Sequence, residues 1–490
     1  MKTQRVQKQE RSRKRGNRTI SLCVICALAM VAATSLIGCG NGRISSDIPP
    51  SDEYNIHMHF GTLPTLYGAT HLFSHTTPSY IFFSRKDTFD ITKTPEHVQM
   101  FLEGPSNNDT IISEAKKLVG KLNGESPNCV INFFIDDFRM MIAYYALLTN
   151  GIPESRFNIT LVSDGGGTYG AAFTRNYADS FHYTMAIDGE QTLFEVEQSG
   201  IENWNKAKED FEWILADFKE RPNISRDGHS IVYGDGSGVK KFHETGTLPA
   251  GEPLHYQNTY SVDRYSHIAA QAPNVRYWMQ YPEYYWLYGD VSAEVRSQIL
   301  RATYSKVSPV DILESLSPTH KEAFFEAVLN NTANKIEGQP ATREILDSML
   351  LNTDKPPLII SGANLGAAAI NYFGHGPNHF PETIVGQIIE DFGDDYTLLF
   401  KPHPSFTADN AKLAAKGIAS LPAQLPMEVL LWAYPGVSIG GYNSSLYLSV
   451  RDAGQVKFFI DRIGEEGHLD SILYLLDDNG FYQNASKRYE

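Results

Sequence analysis

Cysteine is scarce in this chain, with four in 490 residues. Cys23, Cys26 and Cys39 lie close to the N-terminus, which leaves Cys129 alone in the body of the protein. A single thiol forms no internal disulfide. With no CxxC and no Cys/His pair at zinc spacing, the sequence offers no cysteine-based metal or redox centre. Cys129 opens the apolar run Cys129-Val130-Ile131-Asn132-Phe133-Phe134, which predicts a buried, inert thiol. Internal repeats and low-complexity tracts are also missing, and no G-x-S-x-G elbow marks a serine hydrolase. Stability must therefore come from a core, and the 42% hydrophobic and 20% charged composition is that of an ordinary globular protein.

Basic residues are scarce once the N-terminus is set aside. Residues 1–38 hold eight basic residues and one acidic, so the remainder carries 34 basic against 56 acidic, a net charge of −22. Such a balance argues against nucleic acid as a partner. An anionic ligand would have to be captured by local positive groups, because the global field repels it. The N-terminus itself reads as a targeting segment. A basic stretch through Arg18 precedes an apolar one from Ile20 to Ile37, which ends in Leu36-Ile37-Gly38-Cys39. That ending looks like a bacterial lipobox, with cleavage before Cys39 and acylation of its thiol. A plain signal anchor is the alternative, since the apolar stretch approaches membrane-spanning length. The expectation is a signal peptide over 1–38 and a tether over 39–53. Gly40 after the cysteine resembles lipoproteins sorted to the outer membrane of Gram-negative bacteria.

From Tyr54 onward strand-like runs alternate with helical ones, which predicts parallel sheets covered by helices. Ile56–Phe60, Tyr80–Phe83, Val130–Ile135 and Asn158–Val162 read as strands. Asn108–Leu122, Asp136–Thr149 and Ile201–Glu220 read as helices. A Gly- and Pro-rich stretch near 222–255 suggests a boundary, and 255–345 is aromatic and reads as mostly helical. A second strand–helix series starts at Leu358 and includes Thr397–Phe400, Val437–Ile439 and Val456–Ile460. The domain expectation is an N-terminal Rossmann-like domain over 54–222 and a C-terminal one over 223–460. A helical segment over 461–490 is expected to pack back on the first domain.

Several short motifs fall where strands end or helices begin, which is where open α/β sheets place ligands. Lys401-Pro402-His403-Pro404 follows a strand and offers a cation and an imidazole to a phosphate, although a structural loop histidine would look the same. Ser444-Ser445 opens a helix, where hydroxyls and free amides suit an anion or simply a cap. Glu428, behind Leu425-Pro426-Met427, is either a first-turn acid favoured by the helix dipole or a ligand for ribose hydroxyls. Upstream, Asn158–Val162 delivers Ser163-Asp164-Gly165 into a glycine-rich turn. Asp136-Asp137 sits at a predicted helix start and reads as a pair of N-terminal acids rather than a metal site.

Taken in order, these motifs resemble the bacterial sialyltransferases of glycosyltransferase family 80. Members carry a KGHP turn, a Met- or Phe-Glu-Val helix start and a Ser-Ser-Leu-Tyr helix start. Their Asp-Asp-Gly-Ser turn corresponds to Ser163-Asp164-Gly165, and Tyr54–Leu66 is similar to their first strand. The resemblance implies a GT-B fold, with two Rossmann-like domains facing each other across a cleft. It implies inverting transfer of sialic acid from CMP-sialic acid to a galactose-type hydroxyl, with no metal and no other cofactor. Asp164 would be the general base and His403 would assist the departing phosphate. Lys401 would add charge beside the nucleotide, Ser444 and Ser445 would bind the phosphate, and Glu428 would hold the ribose. Gly362, in the stretch Ser361–Gly366 that aligns with the family's acceptor loop, joins the substrate-binding set.

Three departures qualify the resemblance. Ser163 replaces the first acid of the Asp-Asp-Gly turn, and Pro402 replaces the glycine of KGHP. The tryptophan of the family's acceptor loop is missing, which bears on the acceptor more than on the donor. A turn at Gly234-Asp235-Gly236-Ser237 imitates the catalytic one but lacks the preceding strand. Two other readings stay open: a GT-B enzyme using another nucleotide sugar, and a non-catalytic, glycan-binding surface lipoprotein.

Overall fold

Two all-parallel sheets carry the chain. In the first, β1 (Glu53–His59), β2 (Ser79–Phe83), β3 (Val98–Met100), β4 (Val130–Asp136) and β5 (Phe157–Val162) come in sequence. A separate antiparallel hairpin follows, made of β6 (Ser180–Ile187) and β7 (Glu190–Glu197). The first sheet is then completed by β8 (Val275–Met279) and β9 (Tyr304–Lys306), giving seven strands in the order β3-β2-β1-β4-β5-β8-β9. A short antiparallel pair, β10 (Lys335–Ile336) and β11 (Gln339–Pro340), precedes the second sheet. That sheet comprises β12 (Pro357–Ser361), β13 (Thr397–Lys401), β14 (Ala419–Ser420), β15 (Ser438–Tyr442), β16 (Val456–Ile460) and β17 (Lys487–Tyr489). Its six strands run in the order β14-β13-β12-β15-β16-β17. This computed structural model describes residues 48, 50–102, 108–137, 143–144, 146, 153–165, 177–187, 190–220, 263–282, 291–299, 304–336, 338–363, 379–404, 406–442, 444–460 and 480–489. The expected signal segment over 1–38, Cys39, most of the expected tether and residues 234–237 lie outside them.

Each sheet reverses its winding once. In the first the reversal falls between β1 and β4, and in the second between β12 and β15. A crevice opens at the carboxyl ends of the strands at such a point, because the connections leave it in opposite directions. The strand faces follow from the period of two. Ile56 and Met58 of β1 and Ile131, Phe133 and Ile135 of β4 point into one core with Cys129 and Trp204. Ile81 and Phe83 of β2 point the other way. They share a second core with the helix Pro318–Leu329 and with Ile359, Leu399 and Ile439 of the second sheet. One apolar core thus runs from the first sheet to the second.

Sheet membership moves the expected boundary at 222/223. Val275–Met279 pairs with β5 and Tyr304–Lys306 with β8, so the first half extends to Lys306. The aromatic 255–345 stretch hides this strand: Val275, Tyr277 and Met279 alternate inward on a central strand, amid neighbours of the same composition. The chain end is also corrected. Lys487–Tyr489 adds to β16 as an edge strand, and the turn of helix Phe481–Asn484 packs on that same second half. Residues 461–479 lie outside the described ones. Among the described residues, no helix is long and apolar enough to cross a membrane.

Candidate active site

At the first switch point β1 ends at His59, and the turn Phe60-Gly61 leads into the helix Thr62–Leu72. The amides of that turn need an acceptor, and Asp136 provides it. Its Oδ2 accepts from Phe60 N at 2.8 Å and from Gly61 N at 3.2 Å. Asp137 turns the other way, and its Oδ1 accepts from the Asp164 amide at 3.1 Å. The Tyr277 hydroxyl donates to its second oxygen. Burial and then the Asp137 charge push the Tyr277 hydroxyl well above its usual range, so it stays a neutral donor. The expectation that Asp136-Asp137 are helix N-terminal acids is corrected. Asp136 is the last residue of β4, both carboxylates are buried, and both brace the turns around Asp164.

Asp164 stands two residues past β5, half-buried. Its carboxylate lies against the backbone of Gly61. A Cβ added to that glycine would come within 2.2 Å of Asp164 Oδ1 and 2.8 Å of Cγ. The close approach requires glycine, and it fixes where the carboxylate sits.

At the second switch point β12 ends at Ser361. Gly362 N donates to Lys401 O at 2.9 Å, and the Gly362 Cα faces the Phe400 ring and the His403 amide. Gly441, at φ +152 in β15, has no room for a side chain, because a Cβ there would lie 2.0 Å from Ser361 Oγ. Lys401 does not reach into the crevice. It is buried, and its Nζ donates to Pro402 O and Ala423 O, each at 2.8 Å. Burial pulls its pKa down to about 7, against the opposing pull of Glu428. The ammonium thus closes its own loop. Glu428 is half-buried in the first turn of the helix Met427–Ala433, and burial raises its pKa.

His403 follows Pro402 and is partly exposed. Its carbonyl accepts from Phe406 N at 3.0 Å, which tightens the turn. Burial lowers its pKa first, and the charges of Lys401 and Arg85 lower it further. Arg85 lies just past β2, so a cation of the first half is near enough for its charge to bear on the histidine of the second. Sequence reasoning missed Arg85; its only signal was a cation following a strand end in Phe82-Phe83-Ser84-Arg85. Ser444 caps the short helix Ser445–Ser449, with its Oγ accepting from Leu446 N at 3.3 Å. The Ser445 side chain lies outside the described residues. This helix is seated on the end of β8: Gln280 Nε2 donates to Ser449 Oγ at 3.4 Å, and the Tyr281 hydroxyl donates to Leu448 O at 3.3 Å.

These elements define an α/β protein of GT-B type, with two Rossmann-like sheets whose switch points hold the candidate residues. Among solved structures the chain is similar to an α/β-galactoside α-2,3-sialyltransferase from the luminous marine bacterium Photobacterium phosphoreum. Identity is 14% and the TM-score 0.51, over 89% of this chain and 98% of that one. Neither a protein-family model nor a curated protein matches the sequence. At this identity the likeness shows the fold.

Proposed function

We infer that this protein is an inverting glycosyltransferase that moves sialic acid from CMP-sialic acid to a galactose-type hydroxyl of a glycan. The observation that carries the reading is a division of chemistry between the two switch points. A braced carboxylate, Asp164, stands at one; a histidine turn and a serine-capped helix start stand at the other. In this reading Asp164 takes the acceptor hydroxyl proton as the acceptor oxygen bonds to the anomeric carbon. The bond from that carbon to the phosphate oxygen breaks, and CMP leaves with the electron pair. Burial and two neighbouring cations hold His403 neutral near pH 7, so it serves the phosphate as a hydrogen-bond donor. Arg85 supplies the positive charge that Lys401 spends on its own loop. Ser444 and Ser445 hold the phosphate, Glu428 the ribose, and Gly362 lets the donor approach the His403 turn. No metal enters the transfer step: CMP is a good leaving group, and Asp136 and Asp137 are committed to the protein's own donors.

The test is a donor screen by thermal shift, followed by a glycan array with CMP-sialic acid. CMP should raise the melting temperature, and UDP or GDP should not. Stabilisation by UDP or GDP alone would move the protein to another nucleotide sugar. Glycan binding without any nucleotide binding would make it a binding lipoprotein. The same reading places the protein at the envelope of a Gram-negative bacterium, anchored through acyl chains on Cys39. Labelled palmitate should enter the wild type and be absent from Cys39→Ser.

A further inference from the structure

Five histidines that the transfer chemistry does not use come together in the first half of the protein. His57 and His59 project from one face of β1, opposite Ile56 and Met58. His71 lies in the last turn of the helix Thr62–Leu72, His75 one turn further on, and His97 just before β3. Nδ1 of His57 is 3.3 Å from Nε2 of His59, and Nε2 of His57 is 3.4 Å from Nδ1 of His71. The rings of His71 and His75 are 4.5 Å apart between centroids, and those of His75 and His97 5.3 Å. We propose that His57, His71 and His75 form a binding site for a divalent d-block cation of the zinc type, which pins the helix Thr62–Leu72 to β1.

Geometry carries this. One ring nitrogen from each of the three lies within 4.8 Å of the other two. Ligand nitrogens around a tetrahedral zinc, at about 2.0–2.1 Å from the metal, are about 3.3–3.4 Å apart. The His57–His71 pair already has that spacing, and a His75 nitrogen lies within 4.8 Å of both. The chain path agrees, since His71 lies in the last turn of the helix and the chain past its end brings the His75 ring to 4.5 Å from it. Hydrogen bonding agrees as well. Without a cation His75 Nδ1 is buried and unpartnered, while its Nε2 lies 3.1 Å from Asn55 Nδ2, so the nitrogen left open is one that a cation at this site would take. With Nε2 of His57 on the metal, its Nδ1–H donates to Nε2 of His59, the outer hydrogen bond that orients a ligating imidazole. Phe134 stacks on His57 with ring centroids 4.5 Å apart and Trp278 meets His71 edge-on, so the wall is apolar. His57 is fully buried while His71 and His75 are partly exposed, which gives a cation its way in.

The experiment uses full-length protein without a polyhistidine tag, stripped with EDTA and dialysed against Zn²⁺. Wild type should retain about one zinc, melt at a higher temperature with it, and show visible absorption with Co²⁺ in its place. His71→Gln and His75→Gln should each weaken zinc binding at least tenfold and lose the rise in melting temperature. The exposed His320→Gln should keep both. X-ray absorption of the wild type, which does not depend on any variant folding, should count three imidazole ligands. Folded wild type that binds less than a tenth of an equivalent overturns the proposal. So does undiminished binding by the double variant His71→Gln/His75→Gln.

Discussion

Replacing Gly61 by alanine tests the placement of the proposed base without removing it. The backbone of Gly61 has φ −74, so alanine meets no torsional penalty there. The new methyl, however, would lie 2.2 Å from Asp164 Oδ1 and 2.9 Å from Oδ2. Ordinary contact needs about 1 Å more than that first distance. Gly61 cannot retreat, because its amide is held by Asp136 and its carbonyl accepts from Thr65 Oγ1 at 2.7 Å. The Asp164 backbone is held by Asp137, so the carboxylate itself must swing away. A shift of about 1 Å in a reacting group costs on the order of 10²-fold in rate. The stability cost should stay near 1 kcal/mol, the usual cost of alanine for glycine at an N-cap. The assay is kcat/KM for sialyl transfer or CMP-sialic acid hydrolysis, alongside a urea melt. Gly61→Ala should fall about a hundredfold in kcat with KM for the donor little changed, and Asp164→Ala should be inactive. A Gly61→Ala enzyme with wild-type kcat beside an inactive Asp164→Ala would refute the argument from position. An active Asp164→Ala would refute the base itself.

Three further outcomes can be measured separately. The unfolded chain holds the Lys401 proton up to the ordinary lysine value of 10.5 while the native protein releases it near 7. Between those values the unfolded state binds more protons, so native stability rises with pH, by roughly 1.4 kcal/mol per unit for this one group. The stability difference between wild type and Lys401→Met, followed by urea melts from pH 7 to 9.5, should climb accordingly, and a flat difference would mean that the native protein keeps the proton and would contradict its release near 7. Gly441→Ala should lose roughly 3 kcal/mol in the same melts, since its methyl would meet Ser361 Oγ and O inside a sheet at a φ that side chains avoid; a neutral variant counts against the β12–β15 register. Arg85→Gln should raise KM for the CMP donor about tenfold and lower kcat less, as expected for a cation that holds the phosphate in both ground and transition states; unchanged donor kinetics would remove Arg85 from the clamp.

Strand ends were legible because each is written locally. Val130–Asp136, Phe157–Val162 and Thr397–Lys401 are β-branched or aromatic runs that stop at Asp, Ser, Pro or Gly, and the structure places them within a residue or two. The second half of the first sheet was not legible. The pairing of Ile159 with Val275 joins residues far apart in sequence, and nothing in Val275–Met279 says which sheet it enters. The polar edge strand Lys487–Tyr489 carries even less signal, since only Tyr489 is buried. At the site, residue identities were readable but directions were not. A lysine after a strand suits a phosphate, yet burial turned Lys401 toward two carbonyls. Asp136 and Asp137 resembled helix acids because the turn amides they serve lie far off in sequence, upstream at Phe60-Gly61 and downstream at Asp164.

The inward turn of Lys401 has a consequence for how a donor would be held. With net charge −22 over residues 39–490, an anionic donor meets an opposing field and needs a fixed cation at the crevice. Lys401 is buried with its charge already opposed by carbonyl dipoles, so little of it is left for a phosphate. Arg85 belongs to the first sheet and acts on His403 of the second. A clamp built that way forms only while the two halves hold their present relation, and the core they share through Phe83, Phe324 and Leu399 is what holds it. Donor binding and the packing between the halves are then linked. A cavity made in that shared core, far from any substrate atom, should weaken CMP binding as well as the fold.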